Sequence, residues 1–320
     1  MVRSHINLSD AFDGFILACQ ADGQSDNTIA IYRQHKRLML LHLGNVPVEN
    51  IVAEDLQHFM VWLRTDYKTK TGRPYSQKSL SNVWCTLRSF FKWSDNILHT
   101  GRPDIDMKQP EVRQEEIVPY TEDEVSRLFT ATEKMKIANP KDGRASYTMQ
   151  RATADRDELI LILLLDTGMR ASELCRIRIE DIDIQNNMIW LVPQGSGRKS
   201  KGRPVVIGKK TRALLWKYIN TYNPAPLLLY SREGEPYNRF SLAHLLTRLG
   251  ERAGVNNTHA HRFRHTFAIE YLRNSGDIFT LQSILGHASL KMVRNYLKLA
   301  QTDIATAHRR ASPADKWYKK

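Results

Sequence analysis

Through the first hundred positions, apolar residues recur at intervals of three and four. Leu8, Ala11, Phe12 and Phe15 form one such series, Leu56, Phe59, Met60 and Leu63 a second, and Leu80, Val83, Trp84, Leu87, Phe90 and Phe91 a third. Residues 28–43 keep the helical period less tidily, and strand-like alternation is missing. The pattern predicts a compact unit of four helices. Near residue 110 it breaks, because Gly101, Pro103, Pro110 and Pro119 punctuate a polar stretch that cannot continue a helix. Thr121 and Glu124 then form a capping box ahead of Val125, Leu128 and Phe129, which marks a new helix and a new domain. The expected organisation is a helical domain over residues 1–107, a linker over 108–119 and a second domain over 120–320.

The second domain changes character along its length. Residues 134–156 are polar, interrupted by Pro140 and Gly143, and read as a loop. Residues 159–165 are apolar at every position, as in a helix buried all round, and lead into Thr167-Gly168-Met169-Arg170-Ala171-Ser172-Glu173-Leu174. Strand-like runs follow at 188–192 and 205–207, with 227–230 a candidate third; Pro204, lacking a ladder N–H, places the second at a sheet edge. Between the first two lies a glycine-rich basic hairpin tip, Gly195-Ser196-Gly197-Arg198-Lys199-Ser200-Lys201-Gly202-Arg203. The rest is helical. A helix beginning near His259 sets His261, Arg264 and His265 on one face and Phe263, Phe267 and Tyr271 on an adjacent apolar one. Ser275-Gly276 stops it, Asp277 caps the next helix, Gly286 ends that one, and a last helix capped by Ser289 carries Tyr296. The expected fold class is mainly α with a small antiparallel β-sheet (α+β).

Charge narrows the partners. The chain holds 47 Lys+Arg against 34 Asp+Glu, net +13. Residues 1–110 carry 13 and 11 of these, net +2, which leaves net +11 to the remainder. Such a surplus favours a polyanion bound through phosphate contacts and counterion release, nucleic acid ahead of an acidic membrane surface. The first residues lack an apolar signal core and no apolar run is long enough to span a bilayer, so a cytoplasmic location without a membrane partner is expected. Cys19, Cys85 and Cys175 lie far apart with no CxxC spacing, which predicts reduced packing residues.

Several separated motifs agree in order and spacing: Thr167-Gly168-x-Arg170-x-x-Glu173-Leu174, His261-x-x-Arg264, and Leu285-Gly286-His287 with Tyr296 nine residues on. Together they resemble the tyrosine recombinase (phage integrase) family of site-specific DNA recombinases. The resemblance covers essentially the whole second domain, and the helical first domain is similar to that family's core-binding (SAM-like) domain. It implies a clamp around duplex DNA in which Tyr296 attacks the scissile phosphate, giving a 3′-phosphotyrosyl link and a free 5′-hydroxyl, with no metal or other cofactor. Arg170 and Arg264 would hold the non-bridging oxygens, His261 would act as general acid or base, and His287 would hydrogen-bond the phosphate. Lys199 would protonate the leaving 5′-oxygen, with Lys201 the alternative, and Glu173 would orient the arginine region. The residue types suit the chemistry. Guanidiniums are permanently charged forks that match phosphate oxygens, and a phosphotyrosyl ester conserves the broken bond for religation without a nucleotide triphosphate. A phenol of pKa about 10 needs neighbouring cations or a base to react at neutral pH.

Lys68, Lys70, Arg73 and Lys78 surround Tyr75 ahead of a long helix from Ser76 and are expected on DNA phosphates, as are Arg198, Lys201 and Arg203 of the hairpin. The expected partner is double-stranded DNA with paired inverted sites. By resemblance, a terminal helix docks on a neighbouring protomer to build a homotetramer on DNA, from a monomer or weak oligomer without it. Integration and excision of a mobile element is the first expected role. Xer-like resolution of chromosome or plasmid dimers, a type IB topoisomerase-like activity and non-catalytic DNA binding are the alternatives. No arm-binding segment precedes Leu8, which leans towards the simpler recombinases. His259 and His265 read as structural. His261 and His265, four apart, lack the intervening glutamate and third ligand of a zinc site, so no metal is expected.

Overall fold

The computed structural model describes residues 5–69, 71–112, 117–133, 151–192, 202–286, 289–300, 308 and 312–317. The chain divides into two compact units, one within the first 115 residues and one from residue 116 onward.

The first unit contains α1 (Leu8–Ala21), α2 (Asp26–Leu43), α3 (Ala53–Thr65) and α4 (Gln77–Leu98). The predicted apolar series turn inward, with Met60 and Trp84 at the margin and Phe12 stacked on Phe90 at 4.5 Å between ring centroids. Ser25 and Ser76 cap α2 and α4 by accepting from the Thr28 and Ser79 amides. The untidy period of α2 has a specific origin. His35 occupies one of its buried positions, its Nδ1 2.7 Å from Thr86 Oγ1 on α4. Burial holds its pKa down at about 4, so the ring is neutral at pH 7 and serves as a polar core residue. Cys85 departs from the packing role expected of the cysteines: it lies exposed on α4, whereas Cys19 is half-buried and Cys175 buried.

The second unit is organised around α6 (Ala154–Thr167), in which Leu159, Ile160, Leu161, Leu163 and Leu164 are fully buried. The helix begins earlier than its apolar run because Asp157, buried in its first turn, is paired with Arg151 at 3.1 Å and Arg156 at 2.8 Å. It packs against α5 (Glu122–Glu133), α8 (Lys209–Tyr222) and α10 (Ala260–Arg273), while α9 (Arg239–Ala253) packs on α5. The capping box of α5 is formed, with Glu124 Oε2 accepting from the Thr121 amide at 2.9 Å and Thr121 Oγ1 from the Glu124 amide at 3.2 Å. Glu124 also takes Arg262 Nη2 at 2.8 Å. Arg262 lies 4.0 Å over the Tyr120 ring and donates to the Val118 and Pro119 carbonyls, fastening the start of α10 to the strand of chain ahead of α5.

The sheet has three antiparallel strands in the order β1 (Ile182–Asp183), β2 (Met188–Leu191), β3 (Arg203–Val206). Pro204 lies opposite Trp190 on β3, an edge strand as its missing N–H requires. The expected third strand at 227–230 is corrected. The third strand is β1, and Leu227 and Tyr230 form isolated bridges to Arg178 and Pro236. Leu228 and Leu229 are buried in succession, so this segment plugs the core instead of alternating between two faces. Beyond α10 come α11 (Ile278–Leu285), α12 (Leu290–Ala300) and a short helix Pro313–Trp317. Asp277 caps α11 through the Thr280 amide at 2.7 Å. No described helix is long and apolar enough to cross a membrane.

Candidate active site

At the end of α6, Thr167 Oγ1 donates to the Leu163 carbonyl at 2.6 Å, and the chain turns at Gly168 with φ 59°. A Cβ at Gly168 would fall 2.5 Å from Phe267 Cδ1, so both the left-handed backbone and the space demand glycine. The turn presents Arg170 at the start of α7 (Ala171–Leu174). Glu173 reaches back one turn. Its carboxylate accepts from the Arg170 amide at 2.7 Å and from Arg170 Nη1 at 2.9 Å. The same carboxylate takes Arg203 Nη1 at 2.7 Å and Nη2 at 3.0 Å, in a two-pronged pair. Burial would push the Glu173 pKa up, but hydrogen bonds from Arg203 and the Arg170 amide, and the charges of both arginines, carry it down to about 2.

Helix C-termini hold the guanidiniums in place. Arg264 is almost wholly buried and donates to the Gly168 carbonyl at 2.9 Å and the Leu285 carbonyl at 2.7 Å. Arg203 Nε donates to the Ile284 carbonyl at 2.6 Å, and Arg170 Nη2 reaches the Gly286 carbonyl at 3.4 Å. These acceptors lie at the ends of α6 and α11, where carbonyls lack intrahelical partners and the helix dipole is negative. Arg264 therefore stays charged although burial, then repulsion from Arg170, lowers its pKa to about 10. Arg170 and Arg203 on Glu173, with Arg264 held on carbonyls beside them, leave this four-residue cluster positive by two charges, suited to a phosphate whose oxygens gain charge during reaction.

The helix α10 adds two histidines. His261 is exposed, and its ring stands 4.1 Å from that of His265 at 64°. Although the residue keeps solvent access, partial desolvation of its ring, then Arg264, His259 and Arg170, lowers the pKa of His261. Burial, then His261, His259 and Arg264, holds His265 at about 4. His265 Nδ1 lies 3.0 Å from Tyr296 Oη. Tyr296, on α12, is buried in a cluster with Ile269, Leu272, Leu281, Leu285 and Val293. Burial raises its pKa, against the pull of Arg264 and Arg170, so the phenol keeps its proton at neutral pH.

The structure thus brings together Arg170, Glu173, His261, Arg264 and Tyr296. Arg203 requires a correction. Expected among the DNA contacts of the hairpin, it turns inward from the first position of β3 to neutralise buried Glu173, and the bare Cα of Gly286 lets its guanidinium pack within 3.2 Å of where a Cβ would stand. His265, read as structural, stands in contact with Tyr296, and its place beside the site is written in the four-residue spacing from His261 on one helix face. Lys68, Arg73 and Lys78 are exposed around a tight turn of the first unit closed by the Lys68–Pro74 bridge. Lys70, Arg198, Lys199, Lys201 and His287 lie outside the described residues. Among the described residues, no three His, Cys, Asp or Glu side chains cluster as metal ligands.

The sequence profile of the phage integrase family matches residues 120–303, more than half of the chain. The chain belongs to this family, the tyrosine-type site-specific recombinases. The recombinase is 28% identical over 307 residues to tyrosine recombinase XerA of Saccharolobus solfataricus, covering 94% of this chain and 92% of the relative. With tyrosine recombinase XerC of Staphylococcus epidermidis it shares 26% identity over 285 residues, 86% of this chain and 87% of that one. Its fold is that of the Tn1549 transposon integrase solved with transposon right end DNA, at TM-score 0.72 and 19% identity over 94% of this chain and 99% of that one. The lambda integrase dimer bound to a COC′ core site matches at TM-score 0.67 and 17% identity, over 89% and 97% of the two chains.

Proposed function

We propose that this recombinase cuts and rejoins duplex DNA through a covalent bond to Tyr296. The phenolic oxygen attacks the scissile phosphorus, giving a 3′-phosphotyrosyl link and a free 5′-hydroxyl; attack by a 5′-hydroxyl reverses the step and seals the strand. Arg170 and Arg264 hold the non-bridging oxygens and oppose the charge that grows on them, a kind of contact whose loss typically costs about 10²–10³ in rate. His261 moves the proton at the nucleophile, His287 hydrogen-bonds the phosphate, and Lys199, or Lys201 in its stead, protonates the leaving 5′-oxygen. Glu173 keeps Arg170 aimed, and no metal or nucleotide enters the reaction. The observation that carries this reading is the convergence of two guanidiniums, a histidine pair and a buried tyrosine from α6–α7, α10, α11 and α12 at one place.

The first unit acts, on this reading, as the core-binding domain, residues 1–107, joined by 108–119 to a catalytic domain over 120–320. Exposed Lys68, Arg73 and Lys78 meet phosphates, and four protomers assemble on paired inverted sites. The deciding experiment uses a nicked suicide substrate carrying the cognate site: the parent traps a protein–DNA adduct and Tyr296→Phe traps none. An adduct with Tyr296→Phe assigns the nucleophile elsewhere. A 5′-bridging phosphorothiolate, which leaves without an acid, should rescue Lys199→Ala and not Lys201→Ala; the reverse pattern assigns the acid to Lys201.

The role proposed first is integration and excision of a mobile element. A second reading, Xer-like dimer resolution, is favoured by relatives named XerA that match over more than nine-tenths of both chains. Sequencing the DNA covalently trapped in the host cell separates the two, since adducts at the ends of an element support the first and adducts at one chromosomal or plasmid site support the second.

A further inference from the structure

We infer that His265 is a positioning residue for the nucleophile, its Nδ1 accepting the phenolic hydrogen of Tyr296 and fixing the hydroxyl in the field of Arg170 and Arg264. This deepens the reading of Tyr296 as the attacking group and rests on it. The contact is direct, 3.0 Å from Nδ1 to Oη, with the two ring centroids 5.5 Å apart at 55°. A phenol is a strong donor and a weak acceptor because its lone pair is shared with the ring, so between neutral partners the hydrogen lies on oxygen and points to nitrogen. Both partners are neutral here. The groups facing the His265 ring are His261, His259 and Arg264, none of which favours a second positive charge, and burial acts in the same direction. Tyr296 keeps its proton for its own reason, burial.

Two consequences follow for the reaction. With its hydrogen committed to His265, the lone pairs of Tyr296 Oη face away from the imidazole, so the rotation of the hydroxyl about its C–O bond is settled before a phosphate arrives. His265 is also a poor proton acceptor at rest, with a pKa of about 4 against a phenol raised above 10, so it orients the proton without removing it. Both histidines stand on the helix that supplies Arg264, so the acceptor is rigid relative to one of the two phosphate clamps.

The test is single-turnover cleavage of the nicked cognate duplex by the full chain, with DNA affinity measured alongside. His265→Leu, which keeps the bulk and removes the acceptor, should slow adduct formation about tenfold or more, the effect of losing one hydrogen bond, with DNA affinity within about twofold of the parent. His265→Asn, whose amide places a polar atom near the Nδ1 position, should recover most of that loss, and a matched melting curve for the Asn variant controls for folding. Parental cleavage by His265→Leu, or a His265→Asn as slow as His265→Leu, overturns the assignment. Tyr296→Phe in the same assay separates the two readings. An adduct formed without Tyr296 removes the nucleophile assignment, whereas a Tyr296-dependent adduct formed at parental rate by His265→Leu removes the role of His265 alone.

Discussion

Replacing Glu173 with glutamine removes one negative charge from beneath two guanidiniums while leaving shape almost unchanged. Folding lowers the Glu173 pKa from 4.5 to about 2, a difference worth about 3 kcal/mol. Breaking a buried ion pair from one side falls in the same range, about 3–5 kcal/mol. A unit of this size melts roughly 2–4 °C lower per kcal/mol, so the second unit's transition should fall by about 6–12 °C in Glu173→Gln at pH 7. A carboxylate with a depressed pKa contributes fully above 4.5 and loses its contribution as pH falls towards 2. The gap between parent and variant should therefore close across that window. Activity should fall as well, since Arg170 loses the carboxylate that aims it, and adduct formation should drop about 10²-fold in line with the loss of a charge-stabilising donor. The measurements are scanning calorimetry at pH 7 and pH 3 and single-turnover cleavage well below the variant's melting temperature. A Glu173→Gln protein with the parental midpoint and cleavage rate at pH 7 refutes the claim that this carboxylate holds the arginines in place.

Other residues give contrasting outcomes. Arg203→Ala should cut cleavage at least tenfold and lower the melting temperature, yet leave the slope of log Kd for DNA against log salt unchanged; a slope smaller by about one would return Arg203 to the DNA surface. Lys68, Arg73 and Lys78 replaced together by alanine should do the opposite, reducing that slope by about 3 with unchanged cleavage on saturating DNA. In the first unit, His35 has a folded pKa of about 4 against an ordinary 6.5, so the unfolded chain binds the extra proton first. Stability should fall by up to about 3 kcal/mol as pH drops from 6.5 to 4. Urea melts of parent and His35→Leu at pH 7 and pH 4.5 check this, and equal pH slopes for the two proteins would exclude His35 as the source.

Residues whose partners lie within a few positions were legible in the sequence. The helical periods of α1, α3 and α4, the Thr121–Glu124 box and the Asp277 cap all depend on neighbours along the chain, so their pattern is written locally. The long-range partners were not. Arg203 looks like any other cation of a basic hairpin until Glu173, thirty residues earlier, is seen buried and in need of neutralising. His35 spoiled a helical period because its partner Thr86 is on another helix. Leu227 and Tyr230 have strand composition, but the burial of Leu228 and Leu229 on consecutive positions follows from the core they meet. In the site, His265 carried half of its signal, the spacing from His261; the other half, contact with Tyr296, needed α12 folded back against α10.

The charge balance of the cleft ties the histidines to the substrate. Burial, with repulsion from His261, His259 and Arg264 added to it, holds the His265 ring at a pKa of about 4. A phosphodiester seated between Arg170 and Arg264 brings a negative charge into the same space. At a separation of about 6 Å and an effective dielectric constant of about 20, one such charge is worth about 3 kcal/mol, about two pKa units. It acts against the burial and the repulsion that depress His265, and the same sign applies to His261. The two imidazoles therefore become better proton acceptors when a phosphate is in place, so the phenol is held protonated in the free protein and meets a competent acceptor on the bound DNA. Histidine titration by NMR, in the free protein and with sulfate or a duplex bound to Tyr296→Phe, reads this directly. His261 and His265 should both titrate at higher pH with the anion present. Titration at the same pH with the anion demonstrably bound would disconnect the histidines from the phosphate site and leave the arginine cluster to act on it alone.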